Sequence, residues 1–233
     1  MRSLKILSGG AAQGLVASLA PKFKAMTGLD ITGEFGAVGV MADKLRSGTP
    51  ADIVVLTAAM VAALAQDNLV AAASVTDIGR VETAVAVRAG DAQVAVCDTT
   101  ELRQAFLAAD AIFVPDTRTS TAGIHVAKVL QQLGIADEVA ARLKIFPNGA
   151  TAMRNLAAST VTKPIGCTQS TEIISTAGVV LSGSLPRGCE LSTVYTAAVA
   201  AQAADAEHAK ILIDLLAGAD QRALRSGAGF LEV

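Results

Sequence analysis

Short apolar runs alternate with amphipathic segments through the first third of the sequence, and this alternation limits the chain to few folds. Residues 4–7, 30–35 and 53–56 have the length and apolar content of strands. The segment after the first run has Leu15 and Leu19 four residues apart, on one face of a helix. The order strand, helix, strand, helix, strand, helix is typical of a parallel sheet flanked by helices.

The same alternation resumes beyond residue 82 and predicts a second lobe. Further strands are expected at residues 83–87, 111–114, 144–146, 164–167 and 193–200. Residues 181–189 contain two glycines and Pro186, which favours a connection. We therefore expect an α/β chain with lobe 1 formed by residues 1–82 and 190–233 and lobe 2 by residues 83–189. Each lobe would hold a mainly parallel sheet flanked by helices, with a ligand cleft between the lobes.

Composition and charge exclude several partners. The sequence is 52% hydrophobic but only 3% aromatic, so its core must be aliphatic. A formal net charge of −2, without runs of like charge, gives no attraction for nucleic acid. The most apolar segments, around residues 54–65 and 194–204, are shorter than the roughly 20 residues of a membrane-spanning helix or are interrupted by polar residues. No nucleic-acid partner and no membrane insertion are expected.

The first residues and the cysteines bear on the compartment. Met1-Arg2-Ser3 leads straight into an apolar run without the features of a signal peptide. Cys97, Cys167 and Cys189 are odd in number and lack metal-site spacing, which favours free thiols. The expectation is a cytoplasmic protein for the sequence as written, and a periplasmic one if a signal peptide has been removed.

Six turns rich in glycine, serine and threonine precede predicted helices. Ligands of parallel α/β sheets bind beyond the carboxyl ends of the strands, where helix N-termini attract anions. These turns predict an anion site, although the same residues also serve simply to begin helices. The candidate ligand-binding residues in these turns are Ser8, Gly9, Gly10, Ala11, Ala37, Val38, Thr57, Thr121, Ala122, Gly123, Thr151, Thr168, Gln169 and Ser170.

Four ionisable residues are candidates for chemistry at such a site. Arg118 and Arg154 could each hold a carboxylate in a bidentate fork, or be solvated surface residues. Glu172 and His125 are candidate proton acceptors, and Glu172 could instead be an ordinary first-turn acid. With two histidines in the chain and no nucleotide-binding glycine motif, neither a metal nor a cofactor is expected.

Several segments resemble a known superfamily. Residues 23–28 (FKAMTG) and 48–53 (GTPADI) look like the first lobe of molybdate-type solute-binding proteins. Residues 122–125 (AGIH) and 165–173 (IGCTQSTEI) are similar to their second lobe. The resemblance covers nearly the whole chain and implies the two-lobed type II periplasmic-binding-protein fold. It also implies a small anionic ligand, no cofactor and, if the protein is exported, an ABC permease as partner.

Departures from the superfamily pattern change the expected ligand. Ala11 and Ala37-Val38 occupy positions where molybdate binders typically have hydroxyl donors. A buried oxoanion would lose charge-assisted bonds of about 1.5–3 kcal/mol each. The apolar positions suit a ligand with a carbon skeleton, so a small organic polycarboxylate is expected, ahead of molybdate or tungstate.

An enzymatic alternative stays open. The Ser-Gly-Gly-Ala opening and the Thr-Gln-Ser-Thr-Glu segment are similar to the aconitate isomerase branch of the superfamily. That resemblance implies a cofactor-free allylic 1,3-proton shift between cis- and trans-aconitate. Arg118 or Arg154 would then clamp a carboxylate, and Glu172 or His125 would act as the base.

Overall fold

The computed structural model describes residues 3–233 and divides into two compact units. Unit 1 comprises the described residues up to Val81 together with Thr193–Val233, and unit 2 comprises Glu82–Ser192. The strands within each unit pair with one another, and each unit has its own hydrophobic core.

Unit 1 is built from three strand–helix repeats and a returning C-terminal segment. Its strands are β1 (Ser3–Gly9), β2 (Asp30–Gly36), β3 (Ile53–Thr57) and β9 (Ser192–Val199). Its helices are α1 (Gln13–Thr27), α2 (Val38–Arg46), α3 (Ala58–Gln66), α9 (Ala206–Ala217) and α10 (Arg222–Gly227). The strand order is β2-β1-β3-β9, in which β1, β2 and β3 are parallel and β9 is antiparallel to β3. The carboxyl ends of the three parallel strands therefore share one edge of the sheet.

Unit 2 has a mixed sheet. Its strands are β4 (Thr76–Arg88, from Glu82 onward in this unit), β5 (Ala111–Pro115), β6 (Leu143–Phe146), β7 (Pro164–Gln169) and β8 (Val179–Ser184). Its helices are α4 (Thr99–Ala108), α5 (Thr121–Gln132), α6 (Ala136–Val139), α7 (Gly149–Ala157) and α8 (Ser170–Ile174). In the order β8-β4-β7-β5-β6, β5 is parallel to β6 and β7, whereas β4 is antiparallel to β7 and β8.

The two faces of the unit 2 sheet pack against different helices, because side chains alternate along a strand. Ile165 and Cys167 of β7 belong to the hydrophobic cluster that contains Val126 and Val129 of α5. On the opposite side, a Cβ at Gly166 would lie only 2.4 Å from the Cε of Met153 in α7. We call these sides the α5 face and the α7 face.

The predicted α/β alternation is confirmed, and the differences are local. The helix expected after the first strand ends at Thr27, and Gly28 terminates it with a φ of 74°. The prediction of a connection at residues 181–189 is partly wrong, because the first four of these residues belong to β8. That strand pairs with β4 across an irregular register, which a local reading of glycines could not reveal. Across residues 3–233, no helix has the length and apolar character needed to cross a membrane.

Candidate functional site

In unit 1, two helical segments begin side by side at the carboxyl edge of the sheet. The parallel register of β1 and β2 places Gly9 beside Gly36. Gly9 precedes a 3-10 turn at Gly10–Ala12, and Ala37 precedes α2; neither start carries a side-chain cap. A Cβ at Gly9 would lie 2.7 Å from Cγ1 of Val38, so only glycine fits this approach. Backbone N–H groups at both starts are therefore left without side-chain acceptors.

The side chains around these two starts are mostly apolar. Ala11, Ala37 and Val38 are all buried. The buried hydroxyl of Ser8 donates to the backbone oxygen of Gly9, at 2.9 Å. Thr57, a candidate ligand-binding residue, caps α3 by accepting a hydrogen bond from the N–H of Met60. This edge thus offers backbone donors in apolar surroundings.

In unit 2, a tight polar turn leads from β5 into α5. Oδ1 of Asp116 accepts hydrogen bonds from the N–H groups of Arg118 and Thr119, both at 2.8 Å, and from the Thr119 hydroxyl. The backbone hydrogen bond from Arg118 is the main cause that lowers the pKa of Asp116 below its usual value. A Cβ at Gly123 would lie 2.2 Å from the backbone oxygen of Asp116, so this turn packs closely on the helix. Ser120, the N-cap residue, makes no side-chain cap.

The start of α7 is different, because the protein's own carboxylate occupies it. Glu172 is 4% exposed and accepts a hydrogen bond of 2.6 Å from the Thr168 hydroxyl. Backbone N–H groups of Ala150, Gln169 and Gly149 also donate to this carboxylate. Burial raises the pKa of Glu172, while these hydrogen bonds act in the opposite direction.

Two further contacts fix this arrangement at α7. A Cβ at Gly149 would lie 1.8 Å from Oε2 of Glu172, so the backbone can approach the carboxylate only because residue 149 is glycine. Oδ1 of Asn148 accepts the N–H of Thr151 at 2.8 Å and caps the helix. The donors at the start of α7 are thereby satisfied within the protein.

A polar pair without partners lies at the end of β7. Gln169 is 3% exposed, and neither Oε1 nor Nε2 has a hydrogen-bond partner among the described residues. Thr83, directly opposite on β4, is 1% exposed, and its hydroxyl is also unpaired. Such groups are unusual, because nearly all buried polar atoms in proteins are hydrogen-bonded.

The predicted charged candidates are less central than the predicted turns. Arg118 and Arg154 are exposed, and Nη2 of Arg154 donates to the Thr151 hydroxyl at 2.9 Å. Nε2 of His125 lies 2.8 Å from the backbone oxygen of Cys189. Because a carbonyl can only accept, this ring nitrogen carries a proton.

Most of the candidate ligand-binding residues lie near the carboxyl ends of the parallel strands of each unit. In unit 1 these are Ser8, Gly9, Gly10, Ala11, Ala37, Val38 and Thr57. In unit 2 they are Thr121, Ala122, Gly123, Thr151, Thr168, Gln169 and Ser170. Sequence reasoning missed Thr83, since only the β4–β7 register pairs it with Gln169, and Asp116, which its place in a polar turn could have indicated.

Cysteine and metal chemistry find little support at these edges. All three cysteines are free, as expected, and burial raises the pKa of Cys167 to about 12. Within residues 3–233 there is no cluster of three or more histidine, cysteine, aspartate or glutamate side chains able to hold a metal ion.

The fold is that of a solute-binding protein, and comparison with known families agrees. The bacterial extracellular solute-binding protein family matches residues 4–231, and the chain belongs to this family.

Three individual proteins illustrate the similarity. The chain is 24% identical over 229 residues to aconitate isomerase of Pseudomonas sp., covering 94% of this chain and 83% of that protein. The periplasmic molybdate-binding protein of Azotobacter vinelandii superposes with a TM-score of 0.82 at 18% identity, covering 99% of this chain and 100% of the other. PEB3 with bound L-phospholactate gives a TM-score of 0.69 at 12% identity, again covering 99% and 100%. At these identities the two solved structures show the shared type II periplasmic-binding-protein fold and nothing further.

Proposed function

We propose that this protein binds a small organic polycarboxylate as a solute-binding protein. The observation that carries the proposal is the pair of uncapped helical starts after β1 and β2, which the register brings side by side. Helix N-termini bind carboxylates through N–H groups and the helix dipole. The structural relatives named above include binders of molybdate and L-phospholactate, both small anions.

The surroundings of these donors favour an organic anion over a tetrahedral oxoanion. Ala11, Ala37 and Val38 provide methyl groups where hydroxyl donors would serve an oxoanion. The one hydroxyl nearby in sequence, that of Ser8, donates to Gly9. An oxoanion would have to give up hydrated oxygens without full compensation, whereas a carbon skeleton can pack against methyl groups.

The family also suggests a partner. If the protein is exported, it would deliver its ligand to an ABC permease. A pull-down with a candidate permease, with and without the bound polycarboxylate, would test that step separately.

Isothermal titration against matched anions tests the binding proposal. We expect citrate, tricarballylate or trans-aconitate to bind with a Kd of about 10 µM or below, and molybdate and sulfate to bind at least about 100-fold more weakly, a gap of ~2.7 kcal/mol. Tighter binding of either oxoanion would overturn the proposal, as would the absence of binding by every polycarboxylate tried.

A substitution at the N-cap of α2 locates the site. Aspartate is a strong N-cap residue, so Ala37→Asp would satisfy the α2 donors from within and add about 0.5–2 kcal/mol to helix stability. It would also repel an anion, and we expect at least a tenfold loss of affinity. Val40→Asp adds the same charge at a 40% exposed position of the same helix and is the matched control. Equal losses in both variants would place the ligand elsewhere.

An isomerase is the second candidate, favoured by the match to aconitate isomerase over most of the chain. In that reading Glu172, whose pKa burial raises, would be the base, with His125 as the alternative. Arg118 or Arg154 would hold a substrate carboxylate. The Thr168 hydroxyl and three backbone donors at Glu172 would have to rearrange before the carboxylate could accept a substrate proton.

Proton NMR of trans-aconitate in heavy water separates the two candidates. Formation of cis-aconitate with deuterium incorporation would establish the isomerase, whereas line broadening without conversion supports the binder. If turnover is found, Glu172→Gln should abolish it and leave binding intact, while the exposed Glu138→Gln should leave both unchanged. Full turnover in Glu172→Gln would exclude Glu172 as the base.

A further inference from the structure

The unpaired polar groups of unit 2 lie on one particular face of its sheet. Ile165, Cys167 and Gln169 occupy alternate positions of β7. Ile165 and Cys167 pack in the hydrophobic cluster on the α5 face. Because alternate residues of a strand point to the same side, Gln169 lies on the α5 face. Thr83 is its direct partner across β4 and shares that side, as Val85 does with Cys167. The Thr83–Gln169 pair therefore lies on the α5 face, at the carboxyl end of β7.

The α5 face also carries a long helix whose start has no side-chain cap. α5 is twelve residues long, and Ser120 provides no side-chain cap at its start. By contrast, Glu172 and the side chain of Asn148 accept hydrogen bonds from the N–H groups at the start of α7 on the other face. The unpaired amide, the unpaired hydroxyl and the uncapped N–H groups all belong to the same side of the sheet. Each of them is a group that a bound ligand would satisfy.

The amide of Gln169 makes a specific chemical demand. Its Nε2 can only donate and its Oε1 can only accept, so satisfying both requires a ligand with an acceptor and a donor. Fully ionised molybdate, sulfate, succinate and aconitate offer acceptors alone and would leave Oε1 unpaired. A hydroxyl beside a carboxylate supplies both, and the Thr83 hydroxyl can either donate to it or accept from it.

Resting on the proposed function, we infer that Gln169, assisted by Thr83, selects polycarboxylates that carry a hydroxyl group. Nε2 donates to a carboxylate oxygen, Oε1 accepts the ligand hydroxyl, and the N–H groups at the start of α5 hold the negative charge. Sites that hydrogen-bond a ligand hydroxyl reject analogues without it, because their buried polar groups then stay unpaired. Gln169 is thus a specificity-determining residue.

Two ligand pairs that differ by one hydroxyl test this inference by titration calorimetry. They are citrate with tricarballylate and malate with succinate. We expect the hydroxyl-bearing member of at least one pair to bind about tenfold tighter, equivalent to ~1.4 kcal/mol. Gln169→Leu should reduce this preference to about twofold or less, and Thr83→Val should reduce it partially. Gln131→Leu, an exposed change of the same type in α5, should leave the preference unchanged.

Folding of the variants can be checked independently. Leucine at position 169 removes two buried unpaired polar atoms, so the melting temperature without ligand should stay the same or rise. If polycarboxylates bind the wild type without regard to the hydroxyl, or if Gln169→Leu keeps the preference, the inference is wrong and the proposed function survives. If no polycarboxylate binds, the proposed function fails and this inference fails with it.

Discussion

Helices α5 and α7 follow the neighbouring parallel strands β5 and β6, yet their N-termini are in opposite states. At α5 the nearby carboxylate, Asp116, lies before the helix and accepts hydrogen bonds from the turn, which leaves the helix start without a side-chain cap. At α7 the buried carboxylate of Glu172 and the amide of Asn148 take up the N-terminal donors.

This difference shows that a glycine- and hydroxyl-rich turn before a helix is not yet an anion site. Both helix starts have the residues that favour ligand binding. At α7, however, the carboxylate of Glu172, 23 positions beyond Gly149, already accepts the N-terminal hydrogen bonds. Changes at α7 should alter folding stability, whereas changes at α5 should alter ligand binding and leave stability nearly unchanged.

Removing the internal carboxylate should produce the largest effect. Glu172→Ala leaves the Thr168 hydroxyl and three backbone N–H groups without their acceptor, so we expect the free energy of unfolding to fall by about 3 kcal/mol or more. Urea denaturation measures this change. Glu101→Ala is the control, because Glu101 also accepts a backbone N–H, from Cys97, but is only partly buried. We expect that control to lose less than about 1 kcal/mol.

The ionisation of Glu172 gives this prediction a pH dependence. Burial raises the pKa of Glu172 in the folded protein above the ordinary value of 4.5. At a pH between the unfolded and the folded pKa, the folded state therefore keeps a proton that the unfolded chain has lost. The contribution of Glu172 is fully present below about pH 4.5 and is lost as the pH rises through the folded pKa. The stability of the wild type relative to Glu172→Gln should therefore decrease between about pH 4.5 and pH 8. An increase would mean that the hydrogen bonds outweigh burial.

The glycine that admits the carboxylate should give the next largest effect. An alanine in a helix is ordinarily about 1 kcal/mol better than glycine. At position 149 its Cβ would lie 1.8 Å from Oε2 of Glu172, so we expect Gly149→Ala to lower the stability by about 2 kcal/mol instead. In Gly227→Ala the new Cβ would have no atom within 4 Å, and that variant should be as stable as the wild type or slightly more so. Equal melting temperatures for the two variants would contradict the close packing at α7.

Much of the fold could be predicted because it depends on local patterns. The apolar run of β3 is buried throughout, and Gly28 ends α1 in the left-handed conformation. Helix α4 and strand β8 were missed, since neither stands out by composition. The register of β8 on β4 contains an irregularity that depends on the neighbouring strand and not on the residues of β8 alone.

The candidate site could be predicted only in part, for a related reason. Glycine-rich turns reveal where helices begin, and the residues predicted around Gly9 and Ala37 do share one edge. Which donors are already satisfied depends on contacts distant in sequence, such as Glu172 with Gly149 and Ala150. The pairing of Thr83 with Gln169 spans 86 residues and requires the strand register.

The smallest expected change in stability comes from substituting the N-cap residues of α7 and α5. Asn148 accepts the N–H of Thr151, so Asn148→Ala should lower the free energy of unfolding by about 1 kcal/mol. Ser120 occupies the equivalent position of α5 but makes no side-chain cap, so Ser120→Ala should change the stability by less than about 0.5 kcal/mol. Chemical denaturation of both variants without ligand measures the difference. A loss at Ser120 as large as that at Asn148 would mean that the α5 start is capped in solution, and its N–H groups would then not be available to an anion.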